Sequence, residues 1–520
     1  MKVAKACYQC RVGKRRCGEG EQGLPCAPCL KRGLGCSLAQ RSRGHPVSIR
    51  PPIAPTTPTV TDHELSLDLP TTLMLVNLYL ELIHNKPHTL FHPASLLLAV
   101  EQGTVVPHVL YGILALICRF APDTHPGLRS RGGAYHEKAK TCLKNELDSL
   151  SVENVQACIL IGNYCGVERR PELEAFYVGM ACRIAIITRL HEPLAGDDHI
   201  QREVRLRTWW SLYMMDRWGS AGKQLPRQLP DKTPDGIPLP MEESSFFSLR
   251  AGSPVEHTDF PRPGLWGRMV QLAEIFTMVH DLNRERAQGC RTYQEAEWRT
   301  YELAADLDKW QLSLPPDLIP NEENMRRHAQ QGLGSVFVAL HMGFYHYTNL
   351  LYFPFLDLQL EKTPTQILFS DRCRHSAAAF SDFLAMSDEI EGCEVVYFIV
   401  AHMITVSSAA LLHVLLFGHE TELPATRERL ERNFKTLVKL AGYWPAVNQL
   451  MDRLFTFQRA CMSSTDPNTH KADSWMIGFL LDHARPVAER VEQTEQAGPS
   501  TADMVQRDRV AKDTLSLLRV

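Results

Sequence analysis

Between about Pro70 and Arg485, apolar residues recur three and four positions apart, as in LMLVNLYLELIH, VLYGILALICRF, VENVQACILIGNYC, LWGRMVQLAEIFTMVHDL and YELAADLDKWQLSLP. That is the period of a helix with one buried face, and alternating strand patterns are scarce. The pattern predicts a large all-α body. Two stretches break it. SLAQRSRGHPVSIRPPIAPTTPTVTDHE has no periodicity and carries Pro46, Pro51, Pro52, Pro55 and Pro58, the composition of an extended, semi-rigid linker. Residues 226–263 hold eight prolines, which exclude regular helix and mark a long connection between two helical blocks. From Pro486 the chain turns polar, with Gly498, Pro499 and Ser500, and is expected to be a mostly disordered tail. The resulting division is a head at 1–40, a Pro/Thr-rich linker at 41–70, and a helical domain at 71–240. A proline-rich connection at 241–264, a second helical block at 265–485 and the tail at 486–520 follow.

One segment needs a separate test. Residues 395–419, VVYFIVAHMITVSSAALLHVLLFGH, carry no Asp, Glu, Lys or Arg and are long enough to span a bilayer. They also contain His402, Thr405, Ser407, Ser408 and His413, and no cluster of positive charge flanks them. A buried helix of the body is the expectation. The opening MKVAKACYQC lacks the apolar stretch of a secretory signal, so the chain is expected to be soluble and intracellular, with no membrane partner.

With 44% hydrophobic and 22% charged residues, the composition excludes a wholly disordered or fibrous chain. The net charge of −3 is unevenly spread: residues 1–50 hold eleven Lys/Arg against two Asp/Glu, a local +9, leaving −12 for the rest. A basic head on an acidic body points to a polyanion partner at one end.

The head also holds six of the fifteen cysteines. CYQCRVGKRRC and CAPCLKRGLGC both read C-x2-C-x6-C, placing Cys7, Cys10 and Cys17 in register with Cys26, Cys29 and Cys36, 19 residues on. Thiolates at such spacing suit closed tetrahedral zinc sites. Two zincs require eight ligand positions and six thiolates supply six, a deficit that closes if one sulfur from each half bridges both metals. So short a head has little apolar material for a core, and metal binding should supply its folding free energy.

These residues resemble the fungal zinc binuclear-cluster family of transcription factors. The resemblance implies two Zn²⁺ per chain, with Cys7 and Cys26 as the bridging ligands, and a short helix at RVGKRR entering the major groove of double-stranded DNA. It places Lys14 on guanine O6 and N7 of a CGG-type triplet. Arg11, Arg15 and Arg16 would hold phosphates, Lys31 and Arg32 would touch the backbone from the second half, and Arg41 and Arg43 would add contacts from the linker. Gly13 departs from the family, which often has a basic or polar residue there. In the body, LVNLYLELIHNKPHTLFHPASL and REVRLRTWWSLYMMDRWGSAGKQLPRQLP are similar to the family's regulatory region, as are DKWQLSLPPDL and GFYHYTNLLYFPFL. The implied protein is a nuclear, sequence-specific transcription factor of RNA polymerase II genes. It would activate a metabolic or biosynthetic gene set, such as a secondary-metabolite cluster, by recruiting transcriptional machinery or coactivators; a helical pocket for a small-molecule effector is the alternative to a purely core-building role for the body.

Plainer readings stand beside these. Cys7, Cys10, Cys26 and Cys29 alone fit a single-zinc ribbon of a protein-binding adaptor, which leaves Cys17 and Cys36 unexplained. Trp209, Trp210, Tyr213 and Met214 are expected to form a buried stripe, and Arg205, Arg207, Asp216 and Arg217 to pair across turns or helices. His84, His88 and His92 are spaced by four, but Pro87 and Pro93 break the helix that would align them, so a solvated turn is expected. Cys158 and Cys165 read as small core residues. SWMIGFLLDHA at Ser474–Ala484 reads as a packed last helix, with contact to transcriptional machinery as the alternative. No HExxH, Walker loop, GxSxG or dinucleotide fingerprint occurs, and no enzyme is expected. Residues 40–70 contain no heptads, leaving a monomer or a homodimer through the helical body.

Overall fold

The computed structural model describes residues 65–86, 88–231, 236–250, 263–463, 474–481, 484 and 502–519. In the head it describes Cys10, Cys17, Cys26, Cys29 and Lys31. The chain divides into two compact units, Met1–Glu64 and Leu65–Val520. Among the described residues the second unit is built of α-helices and short 3-10 turns, with no strand beyond an isolated bridge between His84 and His88. The all-α expectation holds.

The first helical block contains α1 (Leu69–Leu82), α2 (Pro93–Glu101), α3 (Pro107–Ile117), α4 (Gly132–Asn145), α5 (Val152–Val167), α6 (Pro171–Ile187) and α7 (His199–Lys223). Prolines open several of them, where the missing amide hydrogen has no intrahelical partner to lose. Helix α7 starts with a capping box: Asp198 accepts from the Gln201 amide at 2.8 Å, and the Gln201 side chain accepts from the Asp198 amide at 2.9 Å. Along α7, Trp209, Trp210, Tyr213 and Met214 are all buried, as their spacing predicts.

The charged residues of α7 tie down the proline-rich connection. A proline-rich chain lacks amide donors of its own, so its carbonyls need donors from elsewhere. Trp210 Nε1 donates to the Pro238 carbonyl at 2.8 Å, Arg207 Nη2 to that of Met241 at 2.6 Å, and Arg217 Nη2 to that of Pro230 at 2.9 Å. Asp216 accepts from the Gln228 and Leu229 amides at 2.9 Å. The expected pairing of α7 charges is thus partly replaced by backbone contacts. Arg207 does pair with Glu203, one turn away at 2.8 Å, and its guanidinium lies 4.3 Å from the Phe246 ring centre. Contrary to the expectation of no regular helix in 226–263, the connection contains α8 (Glu243–Ser248). Glu243 stabilises it at a distance: its carboxylate accepts from the Leu265 and Trp266 amides at 2.9 Å, satisfying the first turn of the next helix.

The second block runs through α9 (Leu265–Ala287), α10 (Tyr293–Leu312), α11 (Glu322–Gln330), α12 (Gly334–Tyr352), α13 (Pro364–Asp388), α14 (Ile399–Phe417), α15 (Leu423–Ala441), α16 (Val447–Ser463), α17 (Ser474–Leu481) and α18 (Ala502–Leu515). The uncharged α14 is the segment that tests as a membrane span. It is packed by α12, α13, α15, α16 and α18, and 94% of its most apolar window is buried. Its hydroxyls are satisfied inside: Thr405 donates to the Ala401 carbonyl at 2.8 Å, Ser407 to that of Ala377 at 3.1 Å, and Ser408 accepts from Asn433 at 3.1 Å.

Two further expectations fail. The tail is not simply disordered: α18 buries Met504, Ala511 and Leu515, with Leu518 just beyond. Those positions share one helical face. Arg507 donates to the Gly418 carbonyl at 2.7 Å and Asp508 accepts from Gln458 at 2.6 Å, so charges that look solvated in sequence are tertiary contacts. Residues 486–501 lie outside the described residues. The second failure is the histidine turn, which is buried. His84 Nε2 accepts from the Leu90 and Phe91 amides at 3.0 and 3.1 Å, and His88 bridges Tyr79 at 2.7 Å and Asn163 at 2.9 Å. His92 caps α2. The turn is real, but Ser211 of α7 covers it, accepting from the Thr89 amide at 2.9 Å. The three imidazoles face different partners and form no shared metal site.

Candidate metal centre

In the head, Cys10 Sγ and Cys26 Sγ lie 3.7 Å apart. The sulfurs of Cys10, Cys17 and Cys26 all lie within 4.8 Å of one another. Thiolates about 2.3 Å from a tetrahedral zinc are separated by about 3.8 Å, so the Cys10–Cys26 pair spans one edge of such a tetrahedron. A disulfide would need its sulfurs at about 2.05 Å. Cys10, Cys26 and Cys29 are buried against one another, with Cys17 packed alongside. The Cys29 amide donates to the Cys26 carbonyl at 2.9 Å, a tight turn of the kind that lets a C-x2-C pair present both sulfurs to one metal.

The donor set fits zinc. Cys10, Cys17 and Cys26 would supply three thiolates of one ion, and Cys26 is the member drawn from the second half of the repeat. Lys31, two residues beyond Cys29, is exposed. The remaining candidates, Cys7 and Cys36 for metal and Arg11, Lys14, Arg15, Arg16, Arg32, Arg41 and Arg43 for DNA, lie outside the described residues.

The body's cysteines behave differently. Burial pushes the thiols of Cys118, Cys165 and Cys393 up to about 11, and those of Cys158 and Cys373 up to about 12. They are protonated core side chains, as Cys158 and Cys165 were expected to be. The body has another concave feature that sequence patterning does not mark, a cavity bordered by α5, α6 and α7. Its residues come from segments more than 300 positions apart, and no local spacing signals their meeting.

Two family comparisons match the chain. Residues 5–45 match the fungal Zn(2)-Cys(6) binuclear cluster domain, and residues 76–311 match the fungal specific transcription factor domain. The cluster domain binds two zinc ions, in keeping with the grouped head cysteines. Among curated proteins, the chain is 23% identical over 430 residues to the Zn(2)-C6 fungal-type transcription factor FTF1c of Fusarium oxysporum f. sp. lycopersici, covering 74% of this chain and 45% of that protein. It is 24% identical over 284 residues to Activator of stress genes 1 of Saccharomyces cerevisiae, covering 52% and 28%. An uncharacterized transcriptional regulatory protein of Schizosaccharomyces pombe is 27% identical over 194 residues, covering 34% and 20%. The chain spans less than half the length of each of these relatives. No solved structure matches. With a six-cysteine cluster head and a helical body both matched, the chain belongs to the fungal zinc binuclear-cluster transcription factor family.

Proposed function

We propose that this chain is a nuclear, sequence-specific DNA-binding regulator of RNA polymerase II genes, with no enzymatic activity. The observation that carries the reading is the duplicated C-x2-C-x6-C pattern with the Cys10, Cys17 and Cys26 sulfurs gathered at the spacing of zinc ligands. In this reading all six head cysteines ligate, Cys7 and Cys26 bridge, and zinc is structural: it fixes the direction in which RVGKRR projects. Lys14 reads a CGG-type triplet through guanine O6 and N7. Arg11, Arg15, Arg16, Lys31 and Arg32 hold phosphates, and Arg41 and Arg43 extend that contact from the linker. The +9 charge of residues 1–50 supports a polyanion partner at this end. The helical body is the regulatory part. It responds to a small-molecule effector, recruits transcriptional machinery or coactivators, and activates a metabolic or biosynthetic gene set, either as a monomer or as a homodimer formed through the body.

The test is site selection from random duplex DNA with full-length, zinc-loaded protein. Enrichment of CGG-type triplets is expected, paired at one spacing if the body dimerises and single if it does not. No enrichment from protein holding two zincs would replace this reading with a protein-binding adaptor.

A further inference from the structure

Helix α6 is apolar on both sides. Tyr177, Ala181 and Ile184 face inward, where α5 and α7 cover them. The outward side carries Leu173, Phe176, Met180, Ile186 and Ile187, with Phe176 61% and Ile187 53% exposed. A helix that is hydrophobic all round is normally buried all round, so one side of α6 is missing its cover.

Gly179 sits in the middle of that outward side. Glycine is the least favoured residue inside a helix apart from proline. Nothing in this chain requires it, since a side chain there would meet no neighbouring atom within 4 Å. A glycine so placed lets a second backbone approach closely. Charge supplies the direction of that approach. Glu172, Phe176, Gly179 and Arg183 follow one another at spacings of four, three and four, which sets them on one line along the helix. Among the described residues, neither Glu172 nor Arg183 has a charged partner. In an antiparallel pair of α6 helices with a twofold axis between Tyr177 and Val178, Arg183 stands opposite the partner's Glu172. The same axis sets Phe176 opposite the partner's Gly179, and symmetry makes each pairing twice.

We propose that the outward face of α6 joins two copies of this chain, antiparallel about that axis, with Phe176 seated over the partner's Gly179 and Arg183 on the partner's Glu172. The proposal rests on the homodimer reading of the body and names its surface. A helix of 17 residues is about 25 Å long, so the pair buries an area at the low end for specific interfaces. The dimer is therefore weak alone, with a Kd of about 1–100 µM. Two heads held on one DNA reinforce it by raising the effective concentration.

The test is sedimentation velocity of full-length, zinc-loaded protein without DNA, from about 1 to 100 µM. A monomer–dimer equilibrium is expected. Phe176→Ser should raise Kd at least about tenfold. Gly179→Gln, which fills the hollow with a better helix former, should do the same while holding or raising the denaturant midpoint. Arg183→Glu should also raise Kd about tenfold by setting like charges opposite each other, and adding Glu172→Arg to that chain should restore the dimer. All variants should keep the native far-ultraviolet circular dichroism, because none of these positions is buried in the monomer. A dimer indifferent to Phe176→Ser and Gly179→Gln would overturn this surface and leave the homodimer reading standing. Failure of Glu172→Arg to rescue Arg183→Glu would overturn the antiparallel pairing. A chain still monomeric at the highest concentration would overturn the surface and the homodimer reading together, with DNA recognition left to site selection.

Discussion

The head and the body solve the same problem with opposite materials. The described part of the head has sulfur for a core, Cys10, Cys26 and Cys29 with Cys17 beside them, and its stability must come from metal coordination. The body has a continuous apolar core running from Leu65 to Leu518, and the cysteines inside it, among them Cys118, Cys158 and Cys373, are inert filling. Its polar anchors are buried ion pairs and side chains that hold loop carbonyls. Coordination is concentrated in a few ligands within a short segment, whereas burial is spread along the whole helical body. The two units should therefore fail independently, and to different agents.

The largest break is zinc removal. Structural zinc contributes on the order of 10–16 kcal/mol of binding free energy in small metal-folded domains. A strong chelator should abolish DNA binding by the full-length chain while its helical circular dichroism stays at the native level. A parallel loss of both signals would mean that the units depend on each other.

The converse break is Arg207→Met. It leaves Glu203 and Glu243 buried without their cation; burial already raises both carboxyls, and the Arg207 charge opposes that rise. Losing one partner of a buried pair costs about 3–5 kcal/mol. Denaturant unfolding of the body should shift by that amount, with two zincs per chain retained.

Acid should act on the body through its buried imidazoles. His88, His341 and His346 are each held down to about 3 by burial, against an ordinary 6.5. The unfolded chain takes up protons in that interval and the folded body refuses them. Their contribution is therefore complete above pH 6.5 and is lost as the pH falls toward 3. A denaturant midpoint that declines steadily over this interval is the expected result.

Smaller effects sharpen the contrast further. Lys14→Ala should cost about 1–3 kcal/mol of triplet discrimination in binding assays and leave body stability untouched. Arg41→Ala should weaken binding to all sequences alike and lower the salt dependence. Asp198→Ala removes one end of the α7 capping box, and a loss of about 1 kcal/mol should appear in body unfolding with no change in DNA affinity.

The same contrast explains how much of the molecule was legible in the sequence. The cysteine cluster is read from spacing because all its ligands lie within 30 residues. The helical body is read from periodicity, which is a local signal as well. The misread features all depend on distant partners. His88 looks solvated until Asn163, 75 positions away, meets its ring. The tail looks disordered because Met504, Ala511 and Leu515 are sparse among charges, and only α14, α15 and α16 give them somewhere to pack.

Helix α14 has a consequence for how the protein is made. It emerges from the ribosome as 19 uncharged, mostly apolar residues, and at that moment only α12 and α13 of its five covering helices exist. Helices α15 and α16 arrive next, and α18 comes some 85 residues after α14 ends. Until then the nascent chain displays a segment that the membrane-insertion machinery and chaperones both recognise. Helix α18 therefore joins α14 after α15 and α16 have already covered most of it, and withdraws what remains of this segment from competition.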